Sequence, residues 1–486
     1  MRLSELLREV EFEGSIKNDF DIKFVTDDSR LVRPGALFVC IRHRSFDGHT
    51  AAAEALASGA AAVVTQERLG LENELNVVDS RVAYARLCAA LCGHPERKLR
   101  MIGVTGTNGK TTVTTLIRNI LSDSGIKTLL TGTVCNRLGE ESLPSGLTTP
   151  KPPELYSLLS RAVLSGCEAC VAEASSQALA QGRLEGIAFD AAVFTNITRD
   201  HLDYHGTFEN YLAAKKKLFE HSEVSAVNLD DPRADEIIAA SSGKTVTFST
   251  VLDCADYTAK NISLLPEGVS FELVSKGRIE HINFASPGLF SVSNAMAAAV
   301  CAINLGVDPR SAAQSLARSK GVCGRLERVE CGTPYSVIID YAHTPDGLEQ
   351  VLRALHPSCR GKLIVLFGCG GDRDKTKRPL MGAAACKYAD TVIVTSDNPR
   401  SEEPMRIIGD ILKGTDKKRR GLFIEEDRRR ATALALSLAK PGDTVLLAGK
   451  GHEKYQLICG EKLPLDERET VREILGLPHD TGRKKP

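Results

Sequence analysis

The sequence of 486 residues lacks tryptophan, and aromatic residues make up 5% of it. It also lacks a net charge, because 62 Lys and Arg residues balance 62 Asp and Glu residues. This balance argues against a protein that coats nucleic acid or an anionic membrane, since both favour a basic excess. No apolar run approaches the ~20 residues that span a bilayer, and residues 1–21 are too charged for a signal peptide. We therefore expect neither a nucleic-acid partner nor membrane insertion.

The rest of the composition is that of a globular protein. Apolar residues make up 42% and charged residues 26%, which excludes a disordered chain, a collagen and a coiled coil. At roughly 150 residues per domain, the length predicts about three domains. The C-x-x-C pair of Cys167 and Cys170 lacks the second pair of a zinc site. We interpret the fourteen cysteines as buried free thiols, which places the chain in a reducing cytoplasm.

Three blocks of the chain differ in their pattern of strand-like and helix-like runs. We predict domains over 1–98, 99–327 and 328–486. The second block alternates strand-like and helix-like runs and then becomes strand-rich near 245–286. In the third block helical stretches separate five strand-like runs, at 336–340, 362–367, 391–395, 421–424 and 444–448. This alternation predicts an α/β chain with parallel sheets.

The sharpest local feature is a glycine-rich turn at 103–112, which follows an apolar strand and precedes an amphipathic helix. Such a turn lets backbone N–H groups approach phosphates at a helix N-terminus. Lys110 would reach the β- and γ-phosphates, and the Thr111 hydroxyl would bind Mg²⁺. Because Val104 stands where a strict P-loop has glycine, this is a shortened variant. The pattern predicts ATP binding.

Two candidate metal ligands follow predicted strands. Glu173 ends one strand, and His201 lies in the segment after the next. The carboxyl ends of parallel strands meet at the ligand-binding edge of an open α/β sheet. We therefore expect Glu173 and His201 to converge on Lys110, where a cation would neutralise charge on a transferring phosphoryl group.

Four motifs in the same order together resemble the Mur ligases, which build the peptide stem of bacterial cell-wall precursors. They are Gly-Thr-Asn-Gly-Lys-Thr-Thr at 106–112, Glu-Ala-Ser-Ser at 173–176, the segment at 195–203, and Asp-Tyr-Ala-His-Thr-Pro at 340–345. The resemblance covers nearly the whole chain. It implies a small N-terminal α/β UDP-binding domain, a central P-loop-type parallel-sheet ATPase domain and a C-terminal Rossmann-like α/β domain. It also implies an amide ligase that uses ATP and Mg²⁺ and works through an acyl phosphate.

The N-terminal block is most similar to the members that extend UDP-N-acetylmuramoyl-L-Ala-D-Glu by a third residue, through 28–30 and 34–39. The resemblance implies substrate contacts at Ser29, Arg44, Ser45, Phe46, Thr148, Thr149, Ser175, Gln181 and Arg183. It implies nucleotide contacts at Gly106, Thr107, Asn108, Gly109, Lys110, Thr111, Thr112, Asn196 and Arg325. Asp340, His343, Lys450 and His452 are expected on the ATP-facing side of a domain interface.

The family also carries a carbamylated lysine, and the register within 213–219 selects Lys215. Carbamylation would turn this cation into an anion that binds a second Mg²⁺. The implied metal ligands are thus Thr111, Glu173, His201 and Lys215, and the implied catalytic residues are Lys110, His201 and Lys215.

The tetrapeptide Asp-Asn-Pro-Arg at 397–400 resembles the signature of ligases that add meso-diaminopimelate rather than L-lysine. A guanidinium matches the distal carboxylate of diaminopimelate bidentately. The implied contacts are Arg373, Asp397, Asn398, Pro399, Arg400, Gly449 and Glu453.

Three residues depart from the family pattern. Gln177 stands where histidine is usual, so we assign it no metal role; His43 replaces a glycine, and Cys323 replaces a proline. The alternatives left open are ligation of L-lysine, a folylpolyglutamate-type ligase, and a P-loop switch that controls a partner. We expect a monomer whose partners are small-molecule substrates.

Overall fold

The computed structural model describes residues 1–14, 16–43, 46–265, 267–416 and 419–478. Two predicted substrate contacts, Arg44 and Ser45, lie outside these residues. Within them, the large sheets occupy three successive stretches of the chain and each is built on parallel strands. This confirms the predicted α/β class.

The first stretch forms a four-stranded parallel sheet in the order β1-β2-β3-β4. Its strands are β1 (Phe24–Thr26), β2 (Ala36–Val39), β3 (Ala60–Thr65) and β4 (Glu74–Asn76), and its helices are α1 (Leu3–Leu6), α2 (Ala52–Ala57) and α3 (Ser80–Leu91). Every residue of β2 and β3 is buried, because helices cover both faces of a parallel sheet.

The middle stretch forms an eleven-stranded sheet in the order β15-β14-β13-β12-β11-β10-β5-β9-β6-β7-β8. Its strands are β5 (Arg100–Thr105), β6 (Thr128–Thr131), β7 (Asn136–Leu138), β8 (Glu141–Leu143), β9 (Ala169–Glu173), β10 (Phe189–Phe194), β11 (Ser222–Asn228), β12 (Lys244–Ser249), β13 (Tyr257–Leu265), β14 (Gly268–Ser275) and β15 (Arg278–Phe284). Strands β6, β9, β5, β10, β11, β12 and β13 run parallel, and antiparallel strands extend both edges.

The helices of the middle stretch are α4 (Lys110–Asp123), α5 (Pro152–Leu164), α6 (Ser176–Ala180), α7 (Leu202–His205), α8 (Phe208–Lys216), α9 (Ala234–Ala240), α10 (Leu289–Asn304) and α11 (Pro309–Arg318). The apolar face of α4 includes Val113, Leu116 and Ile117, which are fully buried in one core with the Ala-rich α10. This packing holds the amino end of α4 at the carboxyl end of the central strand β5, as the sequence pattern predicts.

The third stretch forms a six-stranded sheet in the order β16-β17-β21-β18-β19-β20, followed by a hairpin of β22 and β23. Its strands are β16 (Glu327–Arg328), β17 (Ser336–Asp340), β18 (Leu363–Phe367), β19 (Thr391–Val394), β20 (Leu422–Ile424), β21 (Thr444–Ala448), β22 (Tyr455–Ile458) and β23 (Glu461–Pro464). Its helices are α12 (Pro345–Leu355), α13 (Lys377–Tyr388), α14 (Pro404–Leu412), α15 (Arg428–Leu438) and α16 (Glu467–Ile474). The five strands predicted here agree with β17–β21 to within one residue at each end.

The predicted domain limits at 98 and 327 stay predictions. Leu99 and Met101 belong to the same apolar cluster as the first sheet, and β16 begins at Glu327, where the second block was expected to end. All fourteen cysteines are free thiols, of which seven are buried. Among the described residues, no helix is long and apolar enough to cross a membrane.

Candidate active site

A cleft of about 240 Å³ lies where the carboxyl end of β5 faces the third sheet. The structure brings fourteen of the predicted site residues to its walls: Gly106, Thr107, Asn108, Gly109, Lys110, Thr111, Thr112, Thr148, Glu173, Ser175, Asn196, His201, Lys215 and Arg325. Asp340 and His343 line it from the third sheet. We call this the phosphate cleft, after the glycine-rich turn that forms one wall.

The turn itself is held by its own lysine. Lys110 Nζ donates hydrogen bonds of 2.9 Å to the backbone oxygens of Gly106 and Thr107. Gly109 caps α4 with φ +89°, and a Cβ there would collide with the side chain of Asn294 on α10. Glycine is thus required by both conformation and packing. Burial lowers the pKa of Lys110, although Glu173 and Asp200 oppose this effect.

Glu173 is the best-placed metal ligand in the phosphate cleft. It is 1% exposed at the end of β9. Its Oε2 accepts hydrogen bonds from the Thr111 and Thr133 hydroxyls at 3.1 and 2.9 Å, and its Oε1 accepts one from the Thr133 backbone. Mg²⁺ is commonly held by one or two carboxylates together with substrate phosphates. A buried carboxylate beside a hydroxyl at the phosphate turn fits that donor set.

His201 and Lys215 line the same cleft from the segment after β10. His201 precedes α7 with φ +53°, and its Nε2 lies 3.5 Å from Asp200; burial lowers its pKa. Lys215 is 1% exposed, and its Nζ lies 4.5 Å from the centre of the Tyr211 ring. Burial and the nearby charge of Lys110 hold the pKa of Lys215 well below its usual value.

Together these residues do not form a conventional metal cluster. Across the described residues, no group of three or more His, Cys, Asp and Glu side chains is placed to hold a metal ion. The predicted ligands share one cleft, but only Glu173 and His201 among them belong to those residue types, since Thr111 offers a hydroxyl and Lys215 an amine.

The residues predicted to hold the sugar–peptide substrate form a chain of hydrogen bonds beside Glu173. The Thr149 hydroxyl donates to the Glu173 backbone oxygen at 2.6 Å and contacts Ser175 Oγ at 3.1 Å. Arg183 donates to the Thr149 backbone oxygen at 2.7 Å and to Gln181 Oε1. This network positions Ser175 at the wall of the phosphate cleft.

The uridine-side residues lie apart, at the carboxyl edge of the first sheet. Ser29 opens a short turn after β1, and Phe46 follows β2 with 48% of its surface exposed. Asp27, which directly follows β1, accepts a hydrogen bond from Lys151 Nζ at 2.9 Å and lies 3.5 Å from His43. Lys151 thus ties this edge to the start of α5 in the middle stretch.

A second cleft, of about 640 Å³, opens at the carboxyl ends of the third sheet. Its walls include six of the seven residues predicted to bind the amino acid: Arg373, Asp397, Asn398, Arg400, Gly449 and Glu453. Pro399 is buried in the turn between its neighbours. Arg400 has φ +55°, and its Nη1 donates to the Gly371 backbone oxygen at 2.7 Å. We call this the amino-acid cleft.

The two clefts adjoin each other. Both are lined by Asp200, His201, Tyr341, His343 and Thr344. The prediction that Lys450 lines the ATP-facing side was wrong, because its ammonium lies beneath the amino-acid cleft instead. His452 is likewise not among the lining residues of the phosphate cleft.

Sequence reasoning missed several residues of the site. Thr133 binds both oxygens of Glu173, and Asp346 accepts a hydrogen bond from Asn108 in the phosphate turn at 3.0 Å. Asp346 directly follows the motif at 340–345 and would have been found by extending it. Thr133 carries no sequence signal, since a threonine after a short strand is common.

Comparisons with known proteins agree with this geometry. Three family models match: Mur ligase family, catalytic domain, at 21–90; Mur ligase middle domain at 104–302; and Mur ligase, glutamate ligase domain, at 324–451. The chain is similar to the UDP-N-acetylmuramoyl-L-alanyl-D-glutamate--2,6-diaminopimelate ligase of Syntrophomonas wolfei, at 42% identity over 98% of this chain and 99% of the relative. The ligase of the same name from Caldanaerobacter subterraneus is 43% identical over the same shares.

A solved structure of a UDP-N-acetylmuramoyl-L-alanyl-D-glutamate--2,6-diaminopimelate ligase superposes with a TM-score of 0.71 and is 34% identical. It covers 98% of this chain, and 99% of its own length is matched. The similarity therefore extends over all three sheets and both clefts. The chain belongs to the Mur ligase family.

Proposed function

We propose that this protein joins meso-diaminopimelate to the D-Glu γ-carboxylate of UDP-N-acetylmuramoyl-L-Ala-D-Glu, with ATP as the energy source. The observation that carries the proposal is that the phosphate cleft adjoins the amino-acid cleft, with five residues lining both. An acyl phosphate formed in the first cleft would meet an amine held in the second without crossing bulk water. The names of relatives that match 98% of the chain support the same reaction.

In the first step, an oxygen of the γ-carboxylate attacks the γ-phosphorus of ATP, and ADP leaves with the electrons of the broken P–O bond. Lys110 lies at the turn where the β- and γ-phosphates would bind, and its ammonium would offset their charge. Thr111 and Glu173 would hold Mg²⁺, which neutralises charge on the phosphoryl group when bound. Arg325, whose Nη2 donates to Thr111 Oγ1 at 3.2 Å, would add a cation from the segment just before β16.

Lys215 would serve in its carbamylated form. An uncharged amine adds to the carbon of CO₂ and releases a proton, which gives a carbamate anion. Lys215 is buried and close enough to Lys110 for its charge to be disfavoured, so its amine has the state that this addition needs. The carbamate and His201 would then supply the second metal site that the unmodified side chains lack.

The UDP-linked substrate would extend from the first sheet to the phosphate cleft. Ser29 and Phe46 would contact the nucleotide, and Arg44 and Ser45 are proposed for the same loop. Thr148, Thr149, Ser175, Gln181 and Arg183 would hold the sugar and peptide, with Arg183 offering a cation to their carboxylates. Asn196 would orient the phosphate turn, since its Oδ1 accepts from the Asn108 backbone at 3.0 Å.

In the second step, an unprotonated amine of diaminopimelate attacks the acyl carbon, and phosphate leaves from the tetrahedral intermediate. Arg400 and Arg373 would bind the distal carboxylate, and Glu453 with the Gly449 carbonyl would bind the distal ammonium. An acyl phosphate hydrolyses readily, so exclusion of water by the surrounding blocks is essential.

A side-by-side ligation assay tests the proposal. Purified protein is given ATP, Mg²⁺ and the UDP-linked dipeptide with either meso-diaminopimelate or L-lysine, and tripeptide product and released phosphate are both measured. We expect product with diaminopimelate and one phosphate per amide bond. Product with L-lysine alone would overturn the assignment of Arg400, and phosphate release that requires no dipeptide would favour the nucleotide switch.

A folylpolyglutamate-type ligase would accept a folate carboxylate in place of the UDP-linked dipeptide, which the same assay measures. We also propose domains over 1–98, 99–327 and 328–486 and a monomer in solution. Limited proteolysis and light scattering test these two proposals.

A further inference from the structure

A buried lysine underlies the amino-acid cleft. Lys450 follows β21 between two glycines, and its side chain is 0% exposed. Its Nζ donates to Asn398 Oδ1 at 2.8 Å and to Glu453 Oε2 at 2.6 Å, and it lies 3.8 Å from Asp397 Oδ1. An ammonium has three donors and no acceptor. All three of its polar neighbours are lining residues of the amino-acid cleft.

These contacts leave Asn398 a single orientation. Its Oδ1 accepts from Lys450 and also from the Leu457 backbone N–H at 2.8 Å. Its Nδ2 donates to Glu453 Oε2 at 2.9 Å. A flipped amide would face two donors with its own NH₂ group, so the network determines which end of Asn398 points where.

The same contacts give the two oxygens of the Glu453 carboxylate different partners. Oε2 accepts hydrogen bonds from Lys450 and Asn398. Within the part of the chain that the structure describes, Oε1 accepts only a long contact of 3.5 Å from the Tyr341 hydroxyl. Oε1 is therefore the oxygen with capacity left for a cation. A carboxylate held by two donors on one oxygen presents the other in a defined direction.

Charge gives a second reason for a lysine here. Asp397 is buried and Glu453 is largely buried beside Lys450, with 15% of its side chain exposed. The neighbouring Arg428 is already engaged, by Glu467 at 2.7 Å and by the Ala448 backbone oxygen. Two uncompensated carboxylates with little exposure to water are costly. Of the three groups Asp397, Glu453 and Lys450, the ammonium offsets one carboxylate and leaves the other to match an ammonium of a ligand.

We propose that Lys450 is a positioning residue for the incoming diamino acid, acting by aiming Glu453 Oε1 at the distal ammonium. The inference rests on the proposed ligase function and deepens it. Lys450 does not touch the substrate itself. Its contribution is that Asp397, Asn398 and Glu453 keep one arrangement before the amino acid arrives, so little ordering is needed on binding.

Steady-state kinetics of Lys450→Met and Lys450→Gln test this role with whichever diamino acid the wild-type protein ligates. We expect the KM for that amino acid to rise at least about tenfold, because a buried charge pair is broken. The KM values for ATP and the UDP-linked dipeptide should stay within about twofold of wild type, since the phosphate cleft is untouched. Lys450 Nζ lies 5.6 Å from the centre of the Tyr455 ring, and Lys462 Nζ lies 4.4 Å from it. Lys462→Met is the matched control, because Lys462 is exposed.

A double-mutant cycle separates this role from a purely structural one. If Lys450 acts through Glu453, then Lys450→Gln should add little to the defect of Glu453→Gln. The wild-type preference for diaminopimelate over 2-aminopimelate, which lacks the distal amine, should also shrink in Lys450→Gln. Additive defects, a retained preference, or equal increases in the KM values of all three substrates would each overturn the proposal. Absence of ligation by the wild-type protein would instead overturn the proposed function.

If Lys450→Met does not fold, Lys450→Gln alone tests the proposal, because glutamine keeps a hydrogen-bond donor at the buried site. A Lys450→Gln protein with wild-type KM for the amino acid would overturn the proposal.

Discussion

The side-chain amide of Asn108 donates a hydrogen bond of 3.0 Å to Oδ2 of Asp346. Asn108 belongs to the phosphate turn, and Asp346 lies in the first turn of α12, which packs on the third sheet. The Thr198 hydroxyl donates to the same oxygen at 3.3 Å. One carboxylate, whose pKa is raised by burial, thus connects the ATP-side turn to the block that carries the amino-acid cleft.

We predict that Asp346→Ala uncouples ATP consumption from ligation. Loss of this contact should loosen the junction between the blocks and admit water to the acyl phosphate. The ratio of phosphate released to amide formed should rise above one, and kcat/KM for ATP should fall roughly 5- to 100-fold, as for the loss of a buried hydrogen-bond acceptor. Phosphate and tripeptide are measured in the same reaction.

Glu349→Ala is the control for this experiment, because Glu349 lies on the same helix and its carboxylate bonds to Tyr388 and Lys387 away from the turn. If Asp346→Ala releases one phosphate per amide bond and keeps the wild-type kcat/KM for ATP, then the contact is dispensable.

Glu173→Gln should weaken the use of Mg²⁺. The substitution keeps the size of the side chain but removes the buried charge that two threonines hold in place. The Mg²⁺ concentration for half-maximal rate should rise by at least about tenfold. The measurement is a Mg²⁺ titration at saturating ATP, and Glu168→Gln, at an exposed site just before β9, is the control. An unchanged titration would remove Glu173 from the metal site.

Arg400→Ala should discriminate between the two candidate amino acids. Loss of a charge-assisted bond to the distal carboxylate should raise the KM for diaminopimelate roughly 10- to 150-fold. L-Lysine lacks that carboxylate, so any residual reaction with it should change little. Initial rates with each amino acid provide the ratio. Arg406→Ala removes an exposed arginine 3.4 Å from Glu403 and should change neither KM; equal effects on both amino acids would contradict the role of Arg400.

His452→Asn should reduce the acid sensitivity of the fold. Burial, with the charges of Arg325, Arg468 and Lys450, lowers the pKa of His452 from 6.5 to about 4. Between these two pH values the unfolded chain binds a proton that the folded chain resists, so the free energy of unfolding falls as the pH falls from 6.5 to 4. Below pH 4 this contribution changes no further.

The variant should therefore lose less stability than wild type between pH 6.5 and 4, as measured by urea unfolding at each pH. His281→Asn, which replaces an imidazole with 76% of its side chain exposed, is the control and should follow the wild-type curve. Parallel curves for His452→Asn and wild type would contradict the prediction.

Much of the architecture was predictable because its signals are local. The glycine-rich turn, the apolar stripe of α4 and the buried runs of β17–β21 each depend on neighbours within a few residues in the chain. The antiparallel extension of the sheet by β14 and β15 was predicted only as a strand-rich section, since pairing order is not a local property. The contacts of Lys450 are not a local property either. Its sequence neighbours are glycines, which do not indicate which residues its long side chain contacts, so it was assigned to the wrong side of the interface.

By itself, the sequence determined the α/β class, the phosphate turn and the family to which the chain belongs. Those properties follow from residue types at fixed short spacings, which constrain backbone conformation and apolar periodicity directly. Tertiary structure alone decided that Asp346 reaches Asn108, that Thr133 binds Glu173, and that Lys450 holds Asn398 and Glu453. These pairs join segments from three to 238 residues apart, and only the packing of sheets against helices brings their polar atoms within hydrogen-bond distance.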